Sequence, residues 1–545
     1  MVYVLAGALG ECAHVAGVLK FLGLAEEQGM ATHFTGPATP IQEFIDAIGQ
    51  YNPQIVGVSY RLTPETGEKL LRQFAATVRE AGLAGGRRFC FGGTPPVAER
   101  ARGIPLFEAV FTGEEPIEEV VAYLRGGEAG PARIEEYPQT FVERWAWKQP
   151  RPLIRHHFGL PTVEATVRGI GELAESRLLD VISIGPDQDA QESFFHPERQ
   201  DPRRKGAGGV PIRTAEDLRA LHQASRRGNY PLLRIYAGTR DLVRLGALFH
   251  ETIHNAWAAI PLFWFNRMDG RGPMDLEESI RVHQEAMRWH AEQGIPVESN
   301  EPHHWGMRDA SDTVFVVASY LAAYNAKRAG VQDYIAQYMF HSPPGLSDKM
   351  DLAKMLAARD LAETLRDETF RIYHQTRTGL LSYPVQEDAA RAQLAASIYL
   401  QMAMRPDVLH VVAYCEADHA AEPADIVASV RMARHVLELA LRGQPDMTLD
   451  PEVEQRRRET GAEAQTLLAA IASRAGRDVQ DPLSHPPALA ASVRLGLLDA
   501  PQLRNNPCAP GRSRTRIIGG ACREVHPESG QPIDEEQRIV QLGIT

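Results

Sequence analysis

The first 125 residues switch repeatedly between short apolar runs and amphipathic stretches of helical period. Apolar runs fall at 2–6, 31–35, 54–59, 87–91 and 107–112, and between them segments such as 64–82 and 114–124 repeat apolar residues every three or four positions. Short apolar runs alternating with helix-length amphipathic segments predict βα units, and hence a parallel sheet covered on both faces. The expected fold class of this part is α/β, a doubly wound five-stranded parallel sheet of flavodoxin type.

A charged stretch flecked with Gly and Pro, 126–165, reads as a linker. A second βα series follows, with strands predicted at 178–185, 231–238, 259–266, 295–300, 333–340, 370–376 and 408–414 and helix-length runs such as 275–293 and 311–328 among them. Seven strands and a weaker late run at 515–520 predict a (β/α)8 barrel over 166–545, with 440–512 as a helical excursion before the last strand. The expected domains are therefore 1–125, a linker at 126–165, and a barrel with a C-terminal insertion over 166–545.

A chain of 545 residues exceeds one hydrophobic core, which agrees with that division. Its 58 Lys+Arg against 70 Asp+Glu give a net charge of −12, the wrong sign for neutralising phosphates, so no nucleic-acid partner is expected. No apolar stretch reaches the roughly 18 residues that cross a bilayer, so no membrane partner is expected either. Five scattered cysteines without a CxxC pair suit a reducing compartment and argue against a zinc knuckle. The apolar N-terminus lacks a basic lead-in, so it reads as a first strand rather than an export signal, and the cytoplasm is the expected location.

Doubly wound sheets bind ligands at the carboxyl ends of their strands. The loops there read GECAHVAG (10–17), SYRLTP (59–64), GGTPP (92–96) and TGEE (112–115). His14 and Gly17 form an HxxG, Ser59 opens the second loop, and Gly92 with Gly93 open the third. Four such loops in register resemble the cobalamin-binding domain of methionine synthase and the adenosylcobalamin mutases, whose hallmarks are DxHxxG, SxL and a Gly-Gly pair. The resemblance implies bound cobalamin with His14 as the cobalt (metal) ligand. It also implies a channel for the cofactor's nucleotide tail lined by Gly17, Ser59, Thr63, Gly92, Gly93, Thr112 and Gly113. Two positions depart from the family: Cys12 stands where it has Asp, and Arg61 where it has Leu. A flavin or nucleotide site is the competing reading, but no GxGxxG or GxxxxGK[ST] loop follows the first strand.

In a barrel, chemistry gathers where strands end and βα-loops begin. Arg240, Arg267 and Arg377 fall at three such ends and suit a carboxylate clamp, because planar guanidinium forks match two oxygens. This half more distantly resembles the barrel subunit of glutamate mutase, which implies the same role. The segment NEPHHWGMRD (300–309) concentrates Glu301, His303 and His304, the expected catalytic residues. HETIH (250–254) matches the zinc-binding HExxH, with Glu277 or Glu278 as the third ligand, but it falls on an outer barrel helix away from the rim.

The expected function is an adenosylcobalamin-dependent isomerase (mutase) that acts by a radical mechanism on a small anionic substrate, a carboxylic or amino acid. A corrinoid-dependent methyltransferase is the alternative; such proteins usually carry a helical cap before the cobalamin domain, whereas the first strand here starts at residue 2. A zinc hydrolase using HETIH is a minor alternative, and a cobalamin-sensing regulator lacks a recognisable DNA-binding module. A homo-oligomer is expected.

Overall fold

The computed structural model describes residues 2–113, 115, 117–126, 137–476 and 478–543. The chain divides into two compact units, 1–131 and 132–545.

The first unit is the expected parallel sheet. Its strands are β1 (Tyr3–Ala8), β2 (Ala31–Phe34), β3 (Ile55–Tyr60), β4 (Arg88–Gly93) and β5 (Ala109–Phe111), in the order β2-β1-β3-β4-β5. Period-2 alternation sends successive side chains into two cores: Leu5, Val56 and Val58 pack with Phe44 and Phe74 on one face, and Val4, Ala6 and Ile55 pack with Val18 and Leu22 on the other. Strand order reverses between β1 and β3, which opens a crevice at their carboxyl ends. The Leu9 amide donates to the Ser59 carbonyl at 2.9 Å and ties the two loops beside that crevice.

The second unit is a closed parallel barrel of eight strands: β6 (Leu153–Phe158), β7 (Val181–Ile184), β8 (Leu232–Tyr236), β9 (Ala258–Ala259), β10 (Val297–Ser299), β11 (Asp333–Phe340), β12 (Arg371–Thr378) and β13 (Val408–His410). β13 pairs with β6 to close it. Leu153, Val181, Leu232, Trp257, Ile335, Tyr373 and Val408 form one buried cluster that plugs the barrel interior.

Three sequence expectations are corrected here. The eighth strand is β6, inside the stretch read as linker, not the run at 515–520. Arg155 and His157 break its apolar pattern because they face the barrel interior. Residues 515–520 instead begin a two-stranded antiparallel hairpin, β14 (Thr515–Ile518) with β15 (Ala521–Glu524), outside the barrel. Its turn is Gly519-Gly520, both with positive φ, the geometry that closes a two-residue hairpin. Finally, the strand expected at 259–266 is only Ala258–Ala259; Pro261 lacks the N–H a ladder needs, and residues 260–265 continue as a buried loop.

The segment 440–512 is largely helical, with helices Pro451–Ser473 and Pro486–Arg494. Among the described residues no helix is long and apolar enough to cross a membrane.

Candidate functional site

A groove of about 350 Å³ opens along the carboxyl ends of β1, β3, β4 and β5. Gly17, Ser59, Gly92, Gly93, Thr112 and Gly113 all line it, so six of the eight residues assigned to cofactor binding converge. The glycines differ in what they do. A Cβ on Gly93 would run into the Tyr60 carbonyl oxygen and the Phe91 ring, so the fold requires this glycine. A Cβ on Gly17 or Gly92 would meet no protein atom within 4 Å, so the fold does not require either of them. They leave room on the groove side for something other than this chain.

His14 and Thr63 do not line the groove. His14 is exposed on the loop after β1, and Cys12 Sγ lies 3.9 Å from its Nδ1. The residue at the family's Asp position therefore does touch the histidine, but as a buried thiol. Thr63 is the residue before the helix Pro64–Glu80, and its carbonyl accepts from the Gly67 amide. The donors of Thr112 and Gly113 turn inward: Glu115 accepts from both backbone amides and from the Thr112 hydroxyl, at 2.8 to 2.9 Å. Burial works to raise the Glu115 carboxyl, but these donors hold it below the usual range. Arg61, at the family's Leu position, and Lys20 line the groove as well and bring positive charge to it.

The barrel holds a second constellation, directly above the apolar plug. Two positions beyond the plug on five of the strands the residues share the interior face and are polar: Arg155, Arg234, Gln337, Gln375 and His410. Glu298 on β10 is at the centre. Its Oε2 accepts from Arg155 Nη1 at 2.6 Å, Arg234 Nη2 at 2.8 Å and the Trp257 indole N–H at 2.5 Å. Burial works against its charge, yet the two guanidinium groups and the indole hold its carboxyl down at about 2. Arg155 also donates to Gln375 (3.0 Å), Gln375 to Gln337 (2.7 Å), and Gln337 to Nδ1 of His303 (2.7 Å), which joins the network to the residues of the loop after β10.

Two guanidinium groups against one carboxylate leave a buried excess of positive charge. Nε of Arg155, Nε and Nη1 of Arg234, and Oε1 of Glu298 are buried without a partner. Arg377, at the end of β12, is 9 % exposed and close enough to His157, His303 and His410 to oppose their protonation. Burial first, then these cations, hold the three imidazoles well below their ordinary value, so they are neutral at pH 7. His304 is likewise held neutral, and neither of its ring nitrogens has a partner.

The other expected residues distribute unevenly. Of the three clamp arginines, Arg377 is enclosed, Arg240 is half-buried and Arg267 is exposed. Glu301 is fully buried, but its oxygens are committed: Oε2 accepts from the Leu262 and Phe263 amides at 2.6 and 3.1 Å, and Oε1 from the Trp305 indole at 2.9 Å. It ties the loop after β9 to the loop after β10, and burial raises its carboxyl to about 7. Arg155 and Arg234, the heart of the network, were missed by sequence reading. A lone arginine inside each of two apolar runs, LIRHHF and LLRIY, was the available signal.

HETIH does not build a zinc site. The helix Leu242–Ile253 ends before His254, which adopts a left-handed φ of 49° and stacks edge-on with His222, so the two histidines do not share a helix face. Glu251 pairs with Arg219 at 3.1 Å. Among the described residues, the His/Cys/carboxylate grouping of three close potential ligands is elsewhere, at Cys415, His419 and Asp425.

No protein-family model matches the chain, and no curated protein matches it. Solved structures match in parts. A cobalamin-binding protein from Desulfitobacterium hafniense DCB-2 is 19 % identical over 23 % of this chain, with a TM-score of 0.20, and the match spans 57 % of that protein's length. A rubisco-like protein from Alicyclobacillus acidocaldarius is 14 % identical over 60 % of this chain and 73 % of its own, with a TM-score of 0.34. 2,3-Dimethylmalate lyase is 13 % identical over 60 % of this chain and 96 % of its own, with a TM-score of 0.28. Likeness at this level does not specify a ligand, which has to be read from the residues themselves.

Proposed function

We propose that the chain is an adenosylcobalamin-dependent isomerase whose N-terminal unit holds the corrinoid and whose barrel holds a small carboxylic or amino acid. The observation that carries the corrinoid half is the pair of glycines, Gly17 and Gly92, that leave space on a groove the fold itself does not need. The residues present fit the cofactor. His14 offers an exposed imidazole nitrogen to cobalt while Cys12 faces its other nitrogen. The groove would hold the nucleotide tail against Gly17, Ser59, Gly92 and Gly93, and Lys20 and Arg61, which line it as well, would supply positive charge to an anionic part of the cofactor. The Thr112–Gly113 loop borders that binding region. When bound, adenosylcobalamin supplies hydrogen-atom abstraction, the chemistry that no protein side chain here provides.

The substrate half rests on the unbalanced charge inside the barrel. A buried guanidinium excess with unpartnered N–H groups is costly unless an anion completes it. Arg234 and Arg377 anchor a carboxylate by paired N–H donors, with Arg155 held in place by Glu298 and Gln375. Neutral His303 and His304 hydrogen-bond to the substrate, with His303 oriented by Gln337. Glu301 ties the loop that carries these histidines to the loop of Leu262 and Phe263. The apolar plug packs on the inward face of the strands below the polar network.

Anaerobic reconstitution with adenosylcobalamin, followed by addition of small mono- and dicarboxylates and amino acids, tests the reading. One of these should trigger a cob(II)alamin absorbance change. Methyl transfer from methylcobalamin with no response of adenosylcobalamin to any substrate would replace the isomerase with a methyltransferase.

A further inference from the structure

The β14–β15 hairpin carries a separate groove of about 240 Å³, none of whose lining residues belongs to either site above. Arg504, Arg514 and Arg516 line it together with His526. Other arginines of this C-terminal region are paired: Arg457 with Asp360, Arg523 with Glu459 and Arg538 with Glu535. Among the described residues, none of the three groove arginines has a carboxylate within salt-bridge distance, although Glu528 also lines the groove. In a chain of net charge −12, three unneutralised cations around one cavity are a local reversal of sign.

The hydrogen-bonding groups also point to a missing acceptor. Nη1 of Arg514 is buried and has no partner, an arrangement that costs free energy until an acceptor arrives. Nδ1 of His526 accepts from the Glu528 and Ser529 amides, both at 3.3 Å, so the neutral ring carries its proton on Nε2 and is a further donor. Gly530, at φ +67°, brings backbone close to Arg516: a Cβ there would lie 3.0 Å from Nη1. The apolar lining consists of Pro501, Val525 and Pro527, and no Phe, Tyr or Trp ring lines the groove to stack a nucleobase. The volume is below the roughly 300–1,000 Å³ of sites for drug-sized ligands, so the group held there is small.

We propose that this groove binds a phosphate group, either free or carried by a small phosphomonoester, through Arg504, Arg514 and Arg516. Guanidinium forks match phosphate oxygens in pairs, and a dianion neutralises more of the local charge than a carboxylate does.

Calorimetric titration of the full chain at low ionic strength, first with inorganic phosphate, then with glycerol phosphate and with acetate, tests this. Phosphate should bind at one site and more tightly than acetate. The exposed pair Arg504→Ala/Arg516→Ala should weaken it about tenfold or more without changing thermal unfolding in the absence of phosphate. Tighter binding of glycerol phosphate would make a phosphomonoester the ligand, and equal or weaker binding would make it free phosphate. No binding by the wild type, phosphate no tighter than acetate, or undiminished binding by the double variant would overturn the proposal.

Discussion

A Cβ built on Gly93 would lie 2.6 Å from the carbonyl oxygen of Tyr60, on the neighbouring strand. The adjacent Gly92 has no such neighbour and lines the groove, so of these two consecutive glycines strand packing requires only Gly93. Gly93→Ala should therefore destabilise the first unit by about 1–3 kcal/mol through overpacking. Gly92→Ala should stay within about 0.5 kcal/mol of the wild type, yet weaken corrinoid binding. Urea unfolding and corrinoid titration on both variants separate the two effects.

Glu301 gives a pH signature. Its folded value of about 7 lies above the ordinary 4.5, so its contribution to stability is complete below pH 4.5 and is lost as pH rises through 7. The stability difference between wild type and Glu301→Gln should accordingly shrink from pH 5 to pH 8. Taking the difference isolates Glu301 from the buried neutral histidines, whose effect has the opposite sign and is common to both proteins. A difference that stays flat across this range would mean Glu301 is ionised throughout.

The barrel network should respond strongly to loss of its one central carboxylate. Glu298→Ala leaves Arg155 and Arg234 buried without it and should cost about 3–5 kcal/mol. Small dicarboxylates should raise the wild-type melting temperature, since a ligand that binds only the folded state stabilises it. Arg377→Lys should reduce that rise because ammonium cannot reproduce the fork, whereas Arg267→Lys, at an exposed position, should leave it unchanged. Thermal unfolding with and without ligand checks both.

HETIH should be inert. Purified protein should hold no stoichiometric zinc at this segment, and Glu251→Gln should leave stability and activity as they were, since Glu251 meets only the exposed Arg219. Metal analysis and turnover of the variant decide this.

The sheet was legible from its inner strands, above all β3, IVGVSY, which is buried along its whole length and reads as a largely apolar run. β11 is legible for the same reason: DYIAQYMF is buried throughout its length. The barrel's first strand was hidden because its inward positions carry Arg155 and His157, and functional side chains erase the period on which strand recognition depends. Arg234 was missed although its strand was recognised, because it lies inside β8 and not at the strand end where chemistry was sought. The groove residues were legible because their loops sit at fixed places in the fold, while the clamp was only partly so. Lying near a strand end places a residue on the rim but does not fix its side-chain direction, and so Arg377 faces inward while Arg267 is exposed.

The corrinoid reading turns on His14, whose Nδ1 faces Cys12 and whose ring is otherwise exposed on the loop after β1. Paramagnetic resonance of the cob(II)alamin form, with cofactor of natural abundance and protein uniformly labelled with nitrogen-15, tests it most directly. Ligation by His14 requires the nitrogen superhyperfine triplet to become a doublet on protein labelling and this protein-derived splitting to disappear in His14→Ala. A triplet unchanged by protein labelling would assign the axial nitrogen to the cofactor's own base and contradict His14 as the cobalt ligand.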